Sequence, residues 1–217
     1  KGGVPDADYA DGETMILARV PIYGTQDAGR KFWQRSKKVI TENGFRENKI
    51  AKALYVIEVD GEIQAMRITH VDDLCWAAKP EYEKNMTETL KTFVVQKVEQ
   101  SKFRFCGKEI EQLEDYSIKV TCKHSTEQIA AIKFGTDKRK MTDLANDIEI
   151  AQMRSVIGSV GWVARQSRPD LSYDVSKGQS VVSKATVKNL KEANQAVEKA
   201  HEHNDKGIIF DSDAISW

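Results

Sequence analysis

The chain has 217 residues, 40% of them hydrophobic, which is enough apolar material for one large core or two small ones. Its 33 Lys and Arg balance its 33 Asp and Glu, so no global field draws the molecule toward nucleic acid. No apolar run approaches the roughly 20 residues that a bilayer-spanning helix needs, and the start shows no signal-peptide pattern, so no membrane partner is expected.

Residues 1 to 14 are rich in Gly, Asp and Pro, hold Asp6, Asp8 and Asp11 close together, and read as a surface loop. From Gln26 to Asn43, Phe32, Trp33, Val39 and Ile40 recur at helical spacing among basic residues, and Gly44 follows as a stop. This predicts an amphipathic helix with one cationic side. Two strand-like runs, Ala53 to Val59 and Glu62 to Val71, are joined by Asp60-Gly61, a strong hairpin signal. Asp72-Asp73 then interrupts the run from Met66 to Ala77, predicting a second hairpin with the acidic pair at its tip.

Pro80 stands where a helix would start, and Tyr82, Met86, Leu90, Phe93 and Val94 extend a helical period toward Val98. Phe103 to Ile110 and Ser117 to Cys122 read as a strand pair. Ser125-Thr126-Glu127-Gln128 offers a capping box for a helix running to Gly135. Residues 150 to 166 are apolar and rich in small residues, Arg168-Pro169-Asp170 breaks them, and a last helix is expected from Thr186 to His203. Gly207 to Phe210 is strand-like. The succession of hairpins and helices predicts an α+β fold. The opening Lys1-Gly2-Gly3 and the stop at Trp217 give both ends the look of cuts in a longer chain.

Asp72 and Asp73 are the candidates for chemistry. Transfer at a phosphate needs cations held by hard carboxylate oxygens. Two such ions about 3.5–4 Å apart clamp the attacking and leaving oxygens of an in-line displacement. Neighbouring side chains on a strand point to opposite faces, so both acids can approach one site only at a tight turn. Two carboxylates from one turn rarely hold two metals, which calls for a third acid from an adjacent strand. The bland alternative is a solvated turn, in which Asp is common.

Several segments taken together carry a resemblance. They are Tyr23-Gly24-Thr25-Gln26-Asp27-Ala28-Gly29-Arg30, Glu42-Asn43-Gly44-Phe45, His70-Val71-Asp72-Asp73-Leu74, Phe105-Cys106-Gly107-Lys108-Glu109-Ile110, Arg154-Ser155-Val156-Ile157-Gly158-Ser159 and Arg168-Pro169-Asp170-Leu171-Ser172-Tyr173-Asp174-Val175-Ser176. In order and spacing they resemble the reverse transcriptase of copia-type LTR retrotransposons, from about residue 20 to 210. The resemblance implies a right-hand polymerase, an RNA-directed DNA polymerase cut from a Pol polyprotein, with residues 1–118 as partial palm, 119–210 as thumb or connection, and 211–217 leading toward an RNase H domain.

By that resemblance Asp72 and Asp73 would be the catalytic, metal-binding acids for magnesium or manganese. Tyr23, Gly24, Gln26, Asp27, Arg30 and His70 would lie beside nucleotide and template, and Phe105, Cys106 and Gly107 would belong to primer-gripping strands. The implied partners are an RNA template, a DNA primer, a deoxynucleoside triphosphate, and the RNase H and integrase parts of the polyprotein. The implied location is a virus-like particle in the cytoplasm, or the nucleus. The chain departs from the family at His70, an aromatic there, at Gln26 and Asp27, a lysine and a glutamine there, and at Gly29, a proline there. The family's first catalytic aspartate falls upstream of Lys1, so these residues alone are not expected to polymerise. A decayed or co-opted copy that binds nucleic acid without catalysis is the rival expectation, and an unrelated α+β domain is the third.

Two basic clusters, one of Arg30, Lys31, Arg35, Lys37 and Lys38 and one of Lys133, Lys138, Arg139 and Lys140, suit phosphate contacts and ordinary solvated faces equally. Trp33, Trp76 and Trp162 are expected in the core. His201 and His203 diverge on a helix and should not share a metal. Cys75, Cys106 and Cys122 are odd in number and widely spaced, which predicts buried, reduced thiols and a reducing compartment.

Overall fold

Apolar alternation and turn chemistry set the first half of the chain, as seen in a computed structural model that describes residues 28–93, 95, 97–135 and 138–213. Helix α1 (Ala28–Glu42) buries Ser36 and Ile40 and gives way at Gly44, whose φ of +91° ends the helical path. A short strand β1 (Arg46–Glu47) follows. Strands β2 (Leu54–Val59) and β3 (Glu62–His70) are joined by Asp60 (φ 53°) and Gly61 (φ 84°), the pair of positive φ values that a two-residue turn between twisted strands requires. The chain then reverses through Val71 and Asp72 into β4 (Asp73–Ala78), completing an antiparallel sheet of order β1-β2-β3-β4. Both expected hairpins therefore form.

A 3₁₀ turn at Pro80–Tyr82 leads into α2 (Glu83–Lys91). The helical period expected to reach Val98 stops at Lys91, and the Thr92 N–H folds back onto the Leu90 and Thr89 carbonyls. The sequence beyond it, with Thr92 and the β-branched pair Val94-Val95, is poor helix material. Ile40, Phe45, Tyr55, Ile57, Ala65 and Met86 make the core of this part, with Trp76 and Tyr82 packed against it.

The chain divides into two compact units between Val95 and Gln96. The second holds a sheet of order β5-β6-β7-β8, formed by Lys102–Phe105, Lys108–Gln112, Ile118–Thr121 and Gly207–Phe210, again antiparallel throughout. The run Phe103 to Ile110, expected as one strand, is a hairpin turning at Cys106 (φ 50°) and Gly107 (φ 76°). Because β6 pairs with β7 across residues 113–117, a boundary after residue 118 would cut through this sheet, and the division lies further upstream.

Helix α3 (Lys123–Glu127) is far shorter than the helix expected to reach Gly135. The Asn194 side chain accepts from the Ile132 N–H at 2.8 Å and donates to its carbonyl at 3.0 Å, and Gln152 Oε1 accepts from the Lys133 N–H at 2.9 Å. Side-chain amides thus take backbone groups that a helix would have used, while Ile129 and Ile132 are buried in the core. Helix α4 (Asp147–Gln166) starts at a capping box of Asn146 and Glu149. Arg168-Pro169 breaks it as expected, and after a 3₁₀ turn come α5 (Ser172–Val181) and α6 (Val187–Glu202), the latter capped by Thr186 with Asn189. Met153, Ile157, Val160, Val163, Leu171, Leu190 and Val197 are central to the core of this unit. The α+β class expected from the sequence is the one the chain adopts, with two antiparallel four-stranded sheets and six α-helices among the described residues.

Candidate functional site

Alternation along β3 separates its two faces. Ala65 and Arg67 point to the side where α1 and α2 contribute Ile40 and Met86, whereas Met66, Ile68 and His70 point the other way. On β4 the same rule puts Trp76 with the covered face and Asp73 and Cys75 with the opposite one, since Arg67 pairs with Trp76, Ile68 with Cys75 and His70 with Asp73. On that second face Ile68, His70 and Asp73 are all exposed. Asp72 sits one residue before Asp73, in the turn itself, and is exposed as well.

The hairpin tip therefore carries two exposed carboxylates, Asp72 and Asp73, and the His70 imidazole paired across the strands from Asp73. Exposed carboxylate oxygens suit a hard divalent cation that keeps much of its water. The donor set matches magnesium or manganese in kind but is incomplete in number: among the described residues no group of three His, Cys, Asp or Glu is placed to hold a metal. Among the same residues β4 pairs only with β3, so its other edge offers the backbone groups by which a further strand could bring another acid.

The remaining expected site residues belong to other segments of the chain. Tyr23, Gly24, Gln26 and Asp27 lie outside the described residues, as do Asp6, Asp8 and Asp11. Arg30 is exposed in the first turn of α1. In that basic cluster Lys37 bonds Glu47 at 2.8 Å and Lys38 approaches Glu42 at 3.8 Å, while Arg30, Lys31 and Arg35 make no ion pair among the described residues. Phe105, Cys106 and Gly107 form the β5–β6 turn in the second unit, where a Cβ on Gly107 would stand 3.2 Å from the Trp162 ring.

Several side chains with open roles in the sequence have structural ones. Arg139 forks onto Glu149 at 2.6 and 3.1 Å and also donates to the Leu144 carbonyl at 2.9 Å. That hydrogen-bonded pairing holds the Glu149 carboxyl below the usual range. His201 Nε2 lies 2.9 Å from the Thr126 carbonyl, and the His203 carbonyl accepts from Arg168. Trp33 is 40% exposed, contrary to the core position expected for it, and Lys37 Nζ lies 5.2 Å from its ring centroid. Trp76 and Trp162 are half-buried against their cores. No cysteine is in a disulfide, and Cys122 is buried whereas Cys75 and Cys106 are half-buried.

Two buried arginines carry roles that the sequence did not announce. Arg168 closes the end of α6, and Arg67 lies inside the first unit. The parity of β3 was the available signal for Arg67, because it shares a face with Ala65. No family model, no curated protein and no solved structure matches this chain.

Proposed function

We propose that the chain is the later palm and the thumb of a copia-type retrotransposon reverse transcriptase, an RNA-directed DNA polymerase working by two-metal nucleotidyl transfer. The observation that carries this reading is an acidic pair at the tip of an antiparallel hairpin, on a sheet that packs Ile40 of α1 and Met86 of α2 on the face away from Asp73. The order of resembling segments from Tyr23 to Ser176 supports it. Asp72 and Asp73 are the residues that would hold magnesium or manganese. The bound ions would neutralise phosphate oxygens and lower the cost of deprotonating the primer hydroxyl. A third carboxylate must come from outside the described residues, and the edge of β4 that no described strand pairs with suits the strand that would bring it.

The lack of a third acid among the described residues favours a second reading, a non-catalytic nucleic-acid-binding copy of the same fold. One comparison separates the two. The chain joined to the segment that precedes it in its parent gene is assayed for magnesium-dependent primer extension on an RNA template, with and without Asp72→Asn. Activity that disappears on substitution supports the enzyme. An inactive protein that binds duplex with a steep salt dependence supports the binding domain, and absence of both overturns the polymerase lineage altogether.

A further inference from the structure

Arg67 belongs to a row that crosses the whole first sheet. Glu47 on β1 pairs with Tyr55 on β2, Tyr55 with Arg67 on β3, and Arg67 with Trp76 on β4. Directly paired residues share a face, so these four side chains stand in line on the covered side, where α1 reaches Glu47 through Lys37. Tyr55 is 0% exposed and Arg67 only 1%.

The hydrogen-bonding capacity of this row is unmet. Among the described residues Arg67 Nε, Nη1 and Nη2 and Glu47 Oε1 are buried without a hydrogen-bond partner, and the Tyr55 hydroxyl, beside the Trp33 indole, which can only donate, finds no acceptor for its own proton. Glu47 does not neutralise Arg67, because its other oxygen is engaged by Lys37 at 2.8 Å and Lys52 at 3.7 Å, and Tyr55 stands between them in the row. A guanidinium keeps its proton under ordinary conditions. Burial here lowers the Arg67 pKa to about 10, which leaves it cationic at neutral pH. An enclosed cation without a counter-charge is among the most costly arrangements a fold can hold, and buried polar groups are as a rule paired with something. The neighbouring groups in this row are a guanidinium, which only donates, and a phenol, which can donate. The one charged acceptor of the row, the Glu47 carboxylate, bears on Tyr55 and not on Arg67, so among the described residues the guanidinium itself has no acceptor bearing negative charge.

We propose that Arg67 and Tyr55 form an internal anion site on the helix-covered face of the first sheet, taking a halide or a single oxyanion such as a carboxylate or phosphate. The site lies on the side of the sheet away from Asp73, so it stands independently of the polymerase reading. Its occupancy would stabilise the first unit in proportion to the logarithm of anion concentration once above the dissociation constant.

The test uses the full 217-residue chain and its thermal midpoint in sodium chloride, sodium acetate or sodium phosphate, each titrated against sodium gluconate at constant ionic strength, gluconate being too bulky for an enclosed site. A saturable rise in one small-anion series that is absent in gluconate is expected, and the series showing it separates halide from oxyanion. Tyr55→Phe keeps the ring and removes one donor, so half-saturation should move to about tenfold higher concentration, the order expected for losing one charge-assisted hydrogen bond. Arg67→Met should abolish the response. If the wild-type midpoint follows ionic strength alone, or if Arg67→Met raises the midpoint equally in every salt, the guanidinium is an uncompensated burden and the proposal is wrong. Should Arg67→Met fail to fold, an unchanged titration in Tyr55→Phe overturns it as well.

Discussion

His70 and Asp73 face each other as the last pair of the β3–β4 hairpin, and only Val71 and Asp72 connect them. Val71 is held at a φ of 52°, in the left-handed region that suits Gly, Asn or Asp. For a β-branched residue this conformation costs about 1–2 kcal/mol. Val71→Asn is therefore expected to stabilise the first unit by about 1 kcal/mol, because Asn tolerates the left-handed region. Urea denaturation followed by tryptophan fluorescence measures it. A destabilised Val71→Asn would mean that the 72% exposed Val71 side chain makes contacts that outweigh the strain.

The acids beside that turn should matter little to folding. Asp72 and Asp73 are both exposed, so Asp72→Asn and Asp73→Asn should change stability by no more than about 0.5 kcal/mol. On the proposed polymerase reading, either change in the chain joined to its preceding coding segment should lower primer extension by at least about 100-fold, since each would remove a charged metal ligand. Retention of activity in Asp72→Asn with an unchanged melting curve would remove the metal role from this turn.

How far the sequence discloses this arrangement depends on the range of the interactions involved. Asp60-Gly61 and the alternation from Glu62 to Ala77 are local signals, and they place both hairpins and the exposed acidic tip correctly. Cys106-Gly107 is also local, but reading it inside one long strand concealed a turn of the same kind. The early end of α3 was not legible, because the group that competes for the Ile132 backbone is the Asn194 amide, 62 residues away. Arg67 falls between these cases: strand parity points it inward, yet no pattern in the sequence says whether a partner awaits it. Among the described residues no third acid joins Asp72 and Asp73, so the site is legible as a turn and incomplete as a metal centre.

Arg168 ties three elements of the second unit together. Its Nε and Nη2 each donate to an Asp170 oxygen at 2.9 Å, and its Nη1 donates to the carbonyls of His203 at 2.6 Å and Ala200 at 3.3 Å. The side chain is almost wholly buried, so Arg168→Met takes the guanidinium from the Asp170 carboxylate and from the Ala200 carbonyl, while the His203 carbonyl keeps the Lys206 N–H at 3.1 Å. A loss of about 3 kcal/mol is expected in urea denaturation. Arg168→Lys should recover less than half of it, since an ammonium cannot reproduce the planar fork. Full recovery by lysine would show that charge alone matters there.

Acid should loosen the second unit through its paired carboxylates. Arg139 bonded to Glu149, Arg168 to Asp170 and Lys177 to Glu192 each lower the carboxyl pKa in the folded chain, from ordinary values of 4.5, 3.8 and 4.5 respectively. A folded pKa below the unfolded one means that stability is complete above the unfolded value and declines as pH falls through the folded value. The contribution of these pairs to the thermal midpoint should therefore be complete above about pH 5 and decline as the pH falls below the ordinary carboxyl range. In Glu149→Gln the slope should be shallower and the starting midpoint lower. An identical slope in the variant would show that Glu149 carries none of the linkage.

Gly207 gives the sharpest steric prediction. It opens β8 opposite Thr121, and a Cβ built on it would stand 2.1 Å from the Val120 carbonyl oxygen and 2.8 Å from Thr121 Cγ2. The Val120 oxygen is backbone, so it cannot rotate away as a side chain would. Relief requires β7 and β8 to separate where Val120 pairs with Ile208. Gly207→Ala should therefore cost about 2–3 kcal/mol, the upper part of the range for overpacking, and should do so by releasing β8. Amide hydrogen exchange at Ile208, Ile209 and Phe210 should accelerate strongly while exchange within α4 stays slow. Equal acceleration in both places would mean that β8 is integral to the cooperative unit, and unchanged exchange in β8 would mean that the sheet yields at no cost.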